Sequence, residues 1–234
     1  MFPNGLSKAF TLSYDDGTAQ DARFTEIINK YGLKCTFNLN SGTMRNPEYR
    51  ERNGAEVTRL SFAQAKEIYA GHEIAAHTVT HPRLETLAPD AIGREVADDR
   101  TSLGEVFGAE VIGMAYPFGT YNEATLDELK KQRVCYSRTT KSTHGFDLPE
   151  DFLLWHPTCH HKDEDLFTLA NAFLRLKTDK PAVFYLWGHS FEFDTENNPL
   201  NCWRRFEDFC RIISGFDDVW YATNGDIFRA SRGV

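Results

Sequence analysis

Short apolar runs alternate with amphipathic stretches along the chain, and polar residues gather where the apolar runs end. Residues 9–14 (AFTLSY) form a β-prone run. Residues 21–31 then carry Phe24, Ile27, Ile28 and Tyr31 at helical spacing, with Gly32 as a stop, and residues 34–39 (KCTFNL) read as a second strand. A polar excursion over 41–58 holds Gly42, Pro47 and Gly54 and could form part of a site rim. Ser61 is a fitting N-cap for a helix over 61–70, closed by Gly71, and 73–76 is a short third strand. The pattern then predicts a helix over 89–106, with Pro89 in its first turn, a strand over 111–116, a helix over 122–131 and a strand over 133–138. A short apolar strand over 152–155, a helix over 163–176 and a buried strand over 182–187 (AVFYLW) follow. A helix over 203–213, a strand over 218–222 and a closing turn over 225–230 complete the chain. Such alternation predicts an α/β fold of parallel β/α units. An open doubly wound sheet would carry a glycine-rich phosphate loop after its first strand, whereas this one is followed by Asp-Asp-Gly, so a barrel with its chemistry at the strand ends fits better.

The strand ends hold the candidate chemistry. Asp15 and Asp16 follow the first strand, and Gly17 permits a sharp turn there. Adjacent carboxylates repel, and a divalent cation would make the pair tolerable by neutralising one and leaving the other free as a base. A plain Asp-Gly turn is the other explanation. The third strand runs into His77-Thr-Val-Thr-His81, a spacing that lets two imidazoles converge on one cation, though a surface or capping pair also fits it. With Asp16 added, a His2Asp set would leave open positions for water and substrate. The strand over 111–116 runs into Pro117-Phe-Gly119, and the strand over 182–187 ends at Gly188-His189.

Composition narrows the partners. The 234 residues show no linker, charge run or repeat, so a single catalytic domain over 1–234 is expected. A net charge of −8 leaves no basic footprint, which argues against nucleic acid and against an anionic membrane surface. No apolar run approaches membrane-spanning length. Met1-Phe-Pro-Asn-Gly leads straight into the first strand without a charged and then apolar leader, which predicts a cytoplasmic location. The five cysteines are scattered, with no CxxC pair, as expected of reduced thiols. Neither partners nor oligomeric state can be read from them.

TLSYDDG, HTVTH, YPFG and LWGHS stand in the order and spacing of the polysaccharide deacetylase (NodB-homology) family of carbohydrate esterases, which this chain resembles over roughly residues 9–190. The resemblance implies a distorted parallel (β/α)7-type barrel that removes N- or O-acetyl groups from sugars with a divalent metal, zinc foremost, with cobalt, nickel, manganese or iron as other occupants. Carried over, it makes Asp15 the catalytic base, Asp16, His77 and His81 the metal ligands and His189 the general acid. It places Tyr116 where the family supplies an oxyanion-binding backbone N–H. A histidine ending a buried strand, with a pKa near neutrality, suits proton donation to the leaving group.

Two features depart from that family's pattern. Ala115 stands where many members have an arginine that pairs with the base, and Arg138, at the end of the next strand, is the candidate replacement; a solvated loop arginine is its alternative reading. The Asp-x-x-Asp-Trp motif, whose aspartate orients the acid, is missing, and Glu192 or Asp194 could take over. Thr78 could brace the ligand loop through its hydroxyl, and His72 reads as structural. Trp187, Trp155, Pro117 and Phe118, with Tyr121, are candidates to line an acetyl pocket or stack on a sugar. His156, His160 and His161 with Cys159 read as an incidental polar loop, because neighbouring strand residues point to opposite faces. The expected function is metal-dependent deacetylation of a small or oligomeric saccharide or a related acylated metabolite. C–N hydrolysis of a non-sugar cyclic amide, or a non-catalytic carbohydrate-binding barrel, are the alternatives.

Overall fold

A strand buried along its whole length, β1 (Lys8–Asp15), sits at the centre of the fold. The computed structural model describes residues 1–233. After β1 the chain runs through α1 (Asp21–Lys30), β2 (Cys35–Leu39), α2 (Ser41–Arg45), a small hairpin of β3 (Glu51–Arg52) and β4 (Ala55–Glu56), α3 (Phe62–Ile68) and β5 (Glu73–Ala76). Then come α4 (Pro89–Phe107), β6 (Gly113–Ala115), α5 (Glu123–Lys131), β7 (Tyr136–Arg138) and β8 (Cys159–His160). The chain closes with α6 (Leu166–Arg175), β9 (Ala182–Gly188), α7 (Glu192–Thr195), α8 (Trp203–Ile213), β10 (Val219–Tyr221) and α9 (Asn224–Arg232). No helix among the described residues is long and apolar enough to cross a membrane.

Seven parallel strands pair in the order β7-β6-β5-β2-β1-β9-β8, and β10 joins the lower half of β1 beside β2. The seam is closed not by β8 itself but by the segment leading into it: Trp155 N–H donates 3.0 Å to the Ser137 carbonyl of β7, and Thr139 N–H donates 3.1 Å to the Trp155 carbonyl. The result is the parallel barrel expected from the alternation, in the distorted (β/α)7-type form that the resemblance implies.

Strand period sets what faces in and what faces out. Phe10, Leu12 and Tyr14 of β1 join the core under the surrounding helices, with Phe24, Phe37, Phe184 and Phe206. Ala9 faces the other way, into a second cluster with Tyr136, Trp155, Val183, Tyr185 and Ile227, which fills the lower barrel. Above it the interior turns polar. Asn38 Nδ2 donates 2.8 Å to Ser13 Oγ, and Glu73 accepts from Thr36 Oγ1 (2.7 Å), Tyr136 Oη (2.9 Å) and Gly225 N–H (2.8 Å). Residues two further along β1, β2, β7 and β9 therefore share the next layer up: Asp15, Asn38, Arg138 and Trp187.

Several short elements differ from the sequence pattern. The excursion over 41–58 contains the short helix α2, because Ser41 N–H is bound by a carboxylate from another element, Asp99 (2.7 Å). Residues 152–155, expected as a strand, begin as the 3-10 turn Phe152–Leu154, which Asp151 caps by accepting the Leu153 N–H. Pattern reading also missed the strands β3, β4 and β8 and the short helix α7; two residues of strand or one turn of helix give no period to see.

Gly113 is required by the barrel interior, since a Cβ there would collide with the Tyr136 ring. Gly113→Ala is expected to lower unfolding free energy by about 1–3 kcal/mol in urea titrations, with part of the loss restored by Tyr136→Leu. An unchanged midpoint would mean that the ring moves aside freely.

Candidate functional site

Asp15, Asp16, His77, Arg138 and His189 stand at or just past the C-terminal ends of strands, which is where a parallel barrel gathers loops. Asp15 ends β1 and keeps an inward direction. Asp16, one residue on, has a left-handed backbone (φ 84°), so its side chain diverges from that of Asp15 instead of simply alternating with it. Thr78 (φ 70°) and His81 (φ 60°) are left-handed as well. Non-glycine residues in this region cost about 1–3 kcal/mol each and tend to gather at functional sites.

Asp15 is buried and fully engaged. Arg138 Nη2 donates to its Oδ2 and Asn38 Nδ2 donates 2.8 Å to its Oδ1. His77 Nε2 and His189 Nε2 each lie 3.9 Å from Oδ2. Burial pushes the Asp15 carboxyl up, but the Arg138 guanidinium, then His77 and His189, outweigh it and hold the group below the usual carboxylate range. Arg138 is 0% exposed, lies over the Trp187 ring at 4.4 Å and is paired in register with Ala115 across β6 and β7. The guanidinium therefore comes from the strand next to Ala115, in the same layer of the barrel.

Asp16, His77 and His81 present ligand atoms within 4.8 Å of one another. His77 Nδ1 lies 2.8 Å from the Ala115 carbonyl, which can only accept, so Nδ1 carries the ring proton and Nε2 is left bare. Burial lowers the pKa of His77 to about 4 and also lowers that of His81, keeping both imidazoles neutral at pH 7. Burial raises Asp16, but Arg59 and then His189, His77 and His81 hold it ionised far below its ordinary value. Asp16 Oδ1 is buried without a hydrogen-bond partner; Arg59 Nη2 comes within 3.0 Å of it but not in line to donate. Two neutral imidazoles and an under-bonded carboxylate are the donor set of zinc and related divalent ions, so these residues fit such an ion.

Supporting residues fix the ligand loop. Asp99, which sequence reading missed, accepts from the backbone N–H of both His77 (3.0 Å) and Ser41 (2.7 Å). Asn40 Nδ2 donates to the His77 and Thr78 carbonyls, and Thr78 Oγ1 accepts the His81 N–H at 3.1 Å. Nothing in the pattern marks Asp99, because it sits mid-helix in α4 where an acidic residue normally faces solvent.

His189, past the end of β9, faces Asp15 with Nε2 and Glu192 with Nδ1, which is 3.3 Å from Glu192 Oε1. Burial lowers the His189 pKa, but Glu192, Asp15 and Asp16 more than offset it and raise it above the ordinary histidine value. Asp194 is spent elsewhere, accepting from Trp203 Nε1 at 2.6 Å. His160 and His161 both reach Glu192 and are not an incidental loop. The opposite-faces rule lapses here because β8 ends at His160 and His161 lies in the turn beyond. His156 stays apart, bonded to Thr139 Oγ1.

The structure corrects other assignments. The Tyr116 N–H donates 3.0 Å to the Arg138 carbonyl and is unavailable to an oxyanion. Two residues on, Phe118 has a left-handed backbone (φ 58°), and its N–H has no hydrogen-bond partner among the described residues. Trp155 is 2% exposed and packs on Tyr136, Phe152 and Tyr185, so it is core and not a sugar platform. Trp187, 8% exposed, backs Arg138 and His160 and offers no open face. Pro117 is buried in the turn before Phe118, and Tyr121 packs on Tyr116. Phe118 itself is 50% exposed at the rim, with its edge on His81 (4.6 Å) and Arg83 over its face (4.3 Å).

Residues 4–136 match the model of a family described as polysaccharide deacetylase. YxkH of Bacillus subtilis (strain 168), named as a polysaccharide deacetylase, is 29% identical over 128 residues, which are 53% of this chain and 42% of that protein. A chitin deacetylase from Pestalotiopsis sp is 25% identical over 125 residues, 53% of this chain and 39% of that protein. The chain thus spans less than half the length of these curated relatives. Among solved structures, the Streptococcus pyogenes deacetylase PplD in complex with acetate aligns with a TM-score of 0.54 and 27% identity over 62% of this chain and 61% of that one. A Mycobacterium smegmatis protein described as a polysaccharide deacetylase aligns with a TM-score of 0.70 and 18% identity over 100% of this chain and 93% of that one, a likeness of fold. The family match contains Asp15, Asp16, His77, His81 and Phe118 and stops short of Arg138, His160, His161, His189 and Glu192.

Replacing Arg138 by Met would leave the Asp15 carboxylate buried without its cation. Removing one partner of a buried pair costs about 3–5 kcal/mol, so Arg138→Met is expected to lose that much in denaturant unfolding. A loss below about 1 kcal/mol would show the pair to be solvated.

Proposed function

We propose, for a chain that belongs to the polysaccharide deacetylase family, that the barrel mouth is the active site of a metal-dependent hydrolase that removes an acetyl group from a saccharide or a related small substrate. The observation that carries this reading is the meeting of three parts on one mouth. They are the ion-paired carboxylate Asp15, the cation-ready set Asp16, His77 and His81, and His189 across from Asp15.

A divalent ion held by Asp16, His77 and His81 would supply Lewis acidity toward the acetyl carbonyl and make water more acidic at neutral pH. Asp15, kept ionised by Arg138, accepts the proton that water loses as its oxygen bonds to the acyl carbon. Phe118, whose ring packs on His81, has a free N–H that would donate to the developing oxyanion. The C–N or C–O bond to the sugar then breaks, and His189 Nε2 gives its proton to the leaving amine or alkoxide. Acetate and the free sugar are the products. The notion of a barrel that merely binds sugar accounts poorly for a buried, cation-paired Asp15 facing a histidine, since neither is needed for binding.

The test is metal analysis together with acetate release. Protein stripped with a chelator and reloaded with zinc, cobalt, nickel, manganese or iron is expected to bind one ion per chain and to release acetate from acetylated oligosaccharides only when loaded. Asp15→Asn should keep the ion and lose roughly 10²–10⁴-fold in kcat, whereas His77→Ala should lose the ion itself. A loaded protein inactive on every acetylated sugar and small amide would overturn the reading.

The pH dependence has a definite sign. His189 must be protonated to act as an acid, and its pKa is raised. The falling limb of kcat/KM is therefore expected on the alkaline side of the ordinary histidine range, and His189→Ala should abolish that limb along with most of the rate. A falling limb below the ordinary range would argue against His189 as the acid.

A further inference from the structure

Glu192 is ringed by three imidazoles. His160 Nε2 lies 3.0 Å and His161 Nε2 3.2 Å from its Oε2, and His189 Nδ1 lies 3.3 Å from its Oε1. Lys162 Nζ is 3.9 Å from Oε1. The neighbours of each ring locate its proton. Lys162 N–H donates 3.2 Å to His160 Nδ1, so that nitrogen is bare and Nε2 carries the hydrogen toward Glu192. His161 Nε2 faces Glu192 and also Asn201 Oδ1 at 2.8 Å; the Asn201 amide is oriented by its own donation to Glu196 (3.0 Å). His161 Nε2 is therefore a donor, and Nδ1 accepts from the Tyr14 hydroxyl at 2.9 Å. Burial favours the neutral ring in both cases.

The spacing of His160, His161 and Glu192 would also suit a metal ion. An ion needs a bare nitrogen aimed at it, and here both Nε2 atoms near Glu192 carry hydrogen, that of His161 donated to Asn201 Oδ1. The cluster is a cage of close imidazole contacts round one carboxylate, in which neither Glu192 Oε2 nor His189 Nδ1 has an in-line hydrogen bond. A second contact ties it to the acid histidine. A Cβ on Gly188 would overlap His161 Nδ1, so the His161 ring rests directly on the backbone that carries His189.

We propose that His160 and His161 are positioning residues for the acid: they hold Oε2 of Glu192 from one side, so that Oε1 meets His189 Nδ1 and His189 Nε2 is aimed at the Asp15 side of the site. The proposal rests on the deacetylase reading for its kinetic consequence and on these close contacts and ring tautomers for its geometry.

Two experiments on the zinc-loaded protein test it. His160→Ala and His161→Ala are expected to lower kcat by about 10–100-fold, with KM and zinc content near wild type, and His160→Gln and His161→Gln, which keep an N–H donor, should regain most of the loss. Unchanged kcat in the alanine variants, or glutamine variants no better than alanine in a folded protein, would overturn it. Nitrogen-15 NMR of the wild-type rings should show bare Nδ1 and protonated Nε2 in both His160 and His161, unmoved by zinc titration. A zinc-dependent shift of either ring would overturn the cage and make it a second metal site. If the rings show these tautomers and the loaded protein releases no acetate, the deacetylase reading fails while the cage geometry stands.

Discussion

Two consecutive carboxylates buried at the end of the central strand impose the condition that the rest of the site meets. A buried charge is tolerated only when it is paired and hydrogen-bonded, and two side by side raise each other's pKa. The chain separates them at one residue. Asp15 keeps the inward direction of β1, and the left-handed backbone of Asp16 turns the next side chain toward other partners. Asp15 then meets Arg138, Asn38 and the edge of His189, while Asp16 meets Arg59, His77 and His81.

Arg138 can reach Asp15 only through the barrel interior, and that explains several otherwise separate features. Strand period puts Tyr136 and Arg138 of β7 on the inner face, one layer apart. Ala115, its register partner on β6, is small, and Trp187 on β9 supplies an aromatic face for the guanidinium. Trp155, immediately behind, bonds the seam on which Arg138 stands. The aromatic residues that looked like sugar platforms are mostly the supports of this one ion pair. The exposed aromatic beside the ligands is Phe118, whose strained backbone also leaves a free N–H.

The part of the fold legible in the sequence is the part with a period. Strands such as 182–187 and helices such as 203–213 carry enough residues to show alternation or helical spacing. The two-residue strand β8 and the turn at 152–154 do not. Asp16, His77 and His81 were legible because Asp16 stands beside Asp15 before a turn glycine and the two histidines are four apart, each group at the end of a strand. Asp99, Asn38 and Asn40 were not, since each acts on backbone or carboxylate atoms brought to it by other strands. His160 and His161 illustrate how a sound rule fails: side chains alternate within a strand, but the strand ends between them. Arg138 was within reach because it ends the strand after Ala115, whereas the free N–H lies two residues beyond Tyr116, where it was expected. Which N–H is free depends on where the β6 ladder stops, and that is a property of pairing rather than of residue type.

The ion pair on Asp15 also limits what Asp15 can do. A carboxylate held below its ordinary range is always ionised at neutral pH, but it is a correspondingly poor proton acceptor, and bases work best when their pKa lies near the operating pH. Arg138 cannot be relaxed to improve the base without leaving a charge in the barrel. The remedy open to this geometry is to make the donor more acidic, and the groups placed for that are the neighbouring Asp16, His77 and His81 with their neutral rings and under-bonded carboxylate. On the far side, His189 has the opposite setting, a proton held more firmly than usual by Glu192 and Asp15. In the proposed reaction Asp15 is the base and His189 the acid, 3.9 Å apart, and their opposite pKa shifts favour leaving the proton on His189 before substrate arrives. On that reading, the order of proton affinities keeps the base empty and the acid loaded in one buried pocket.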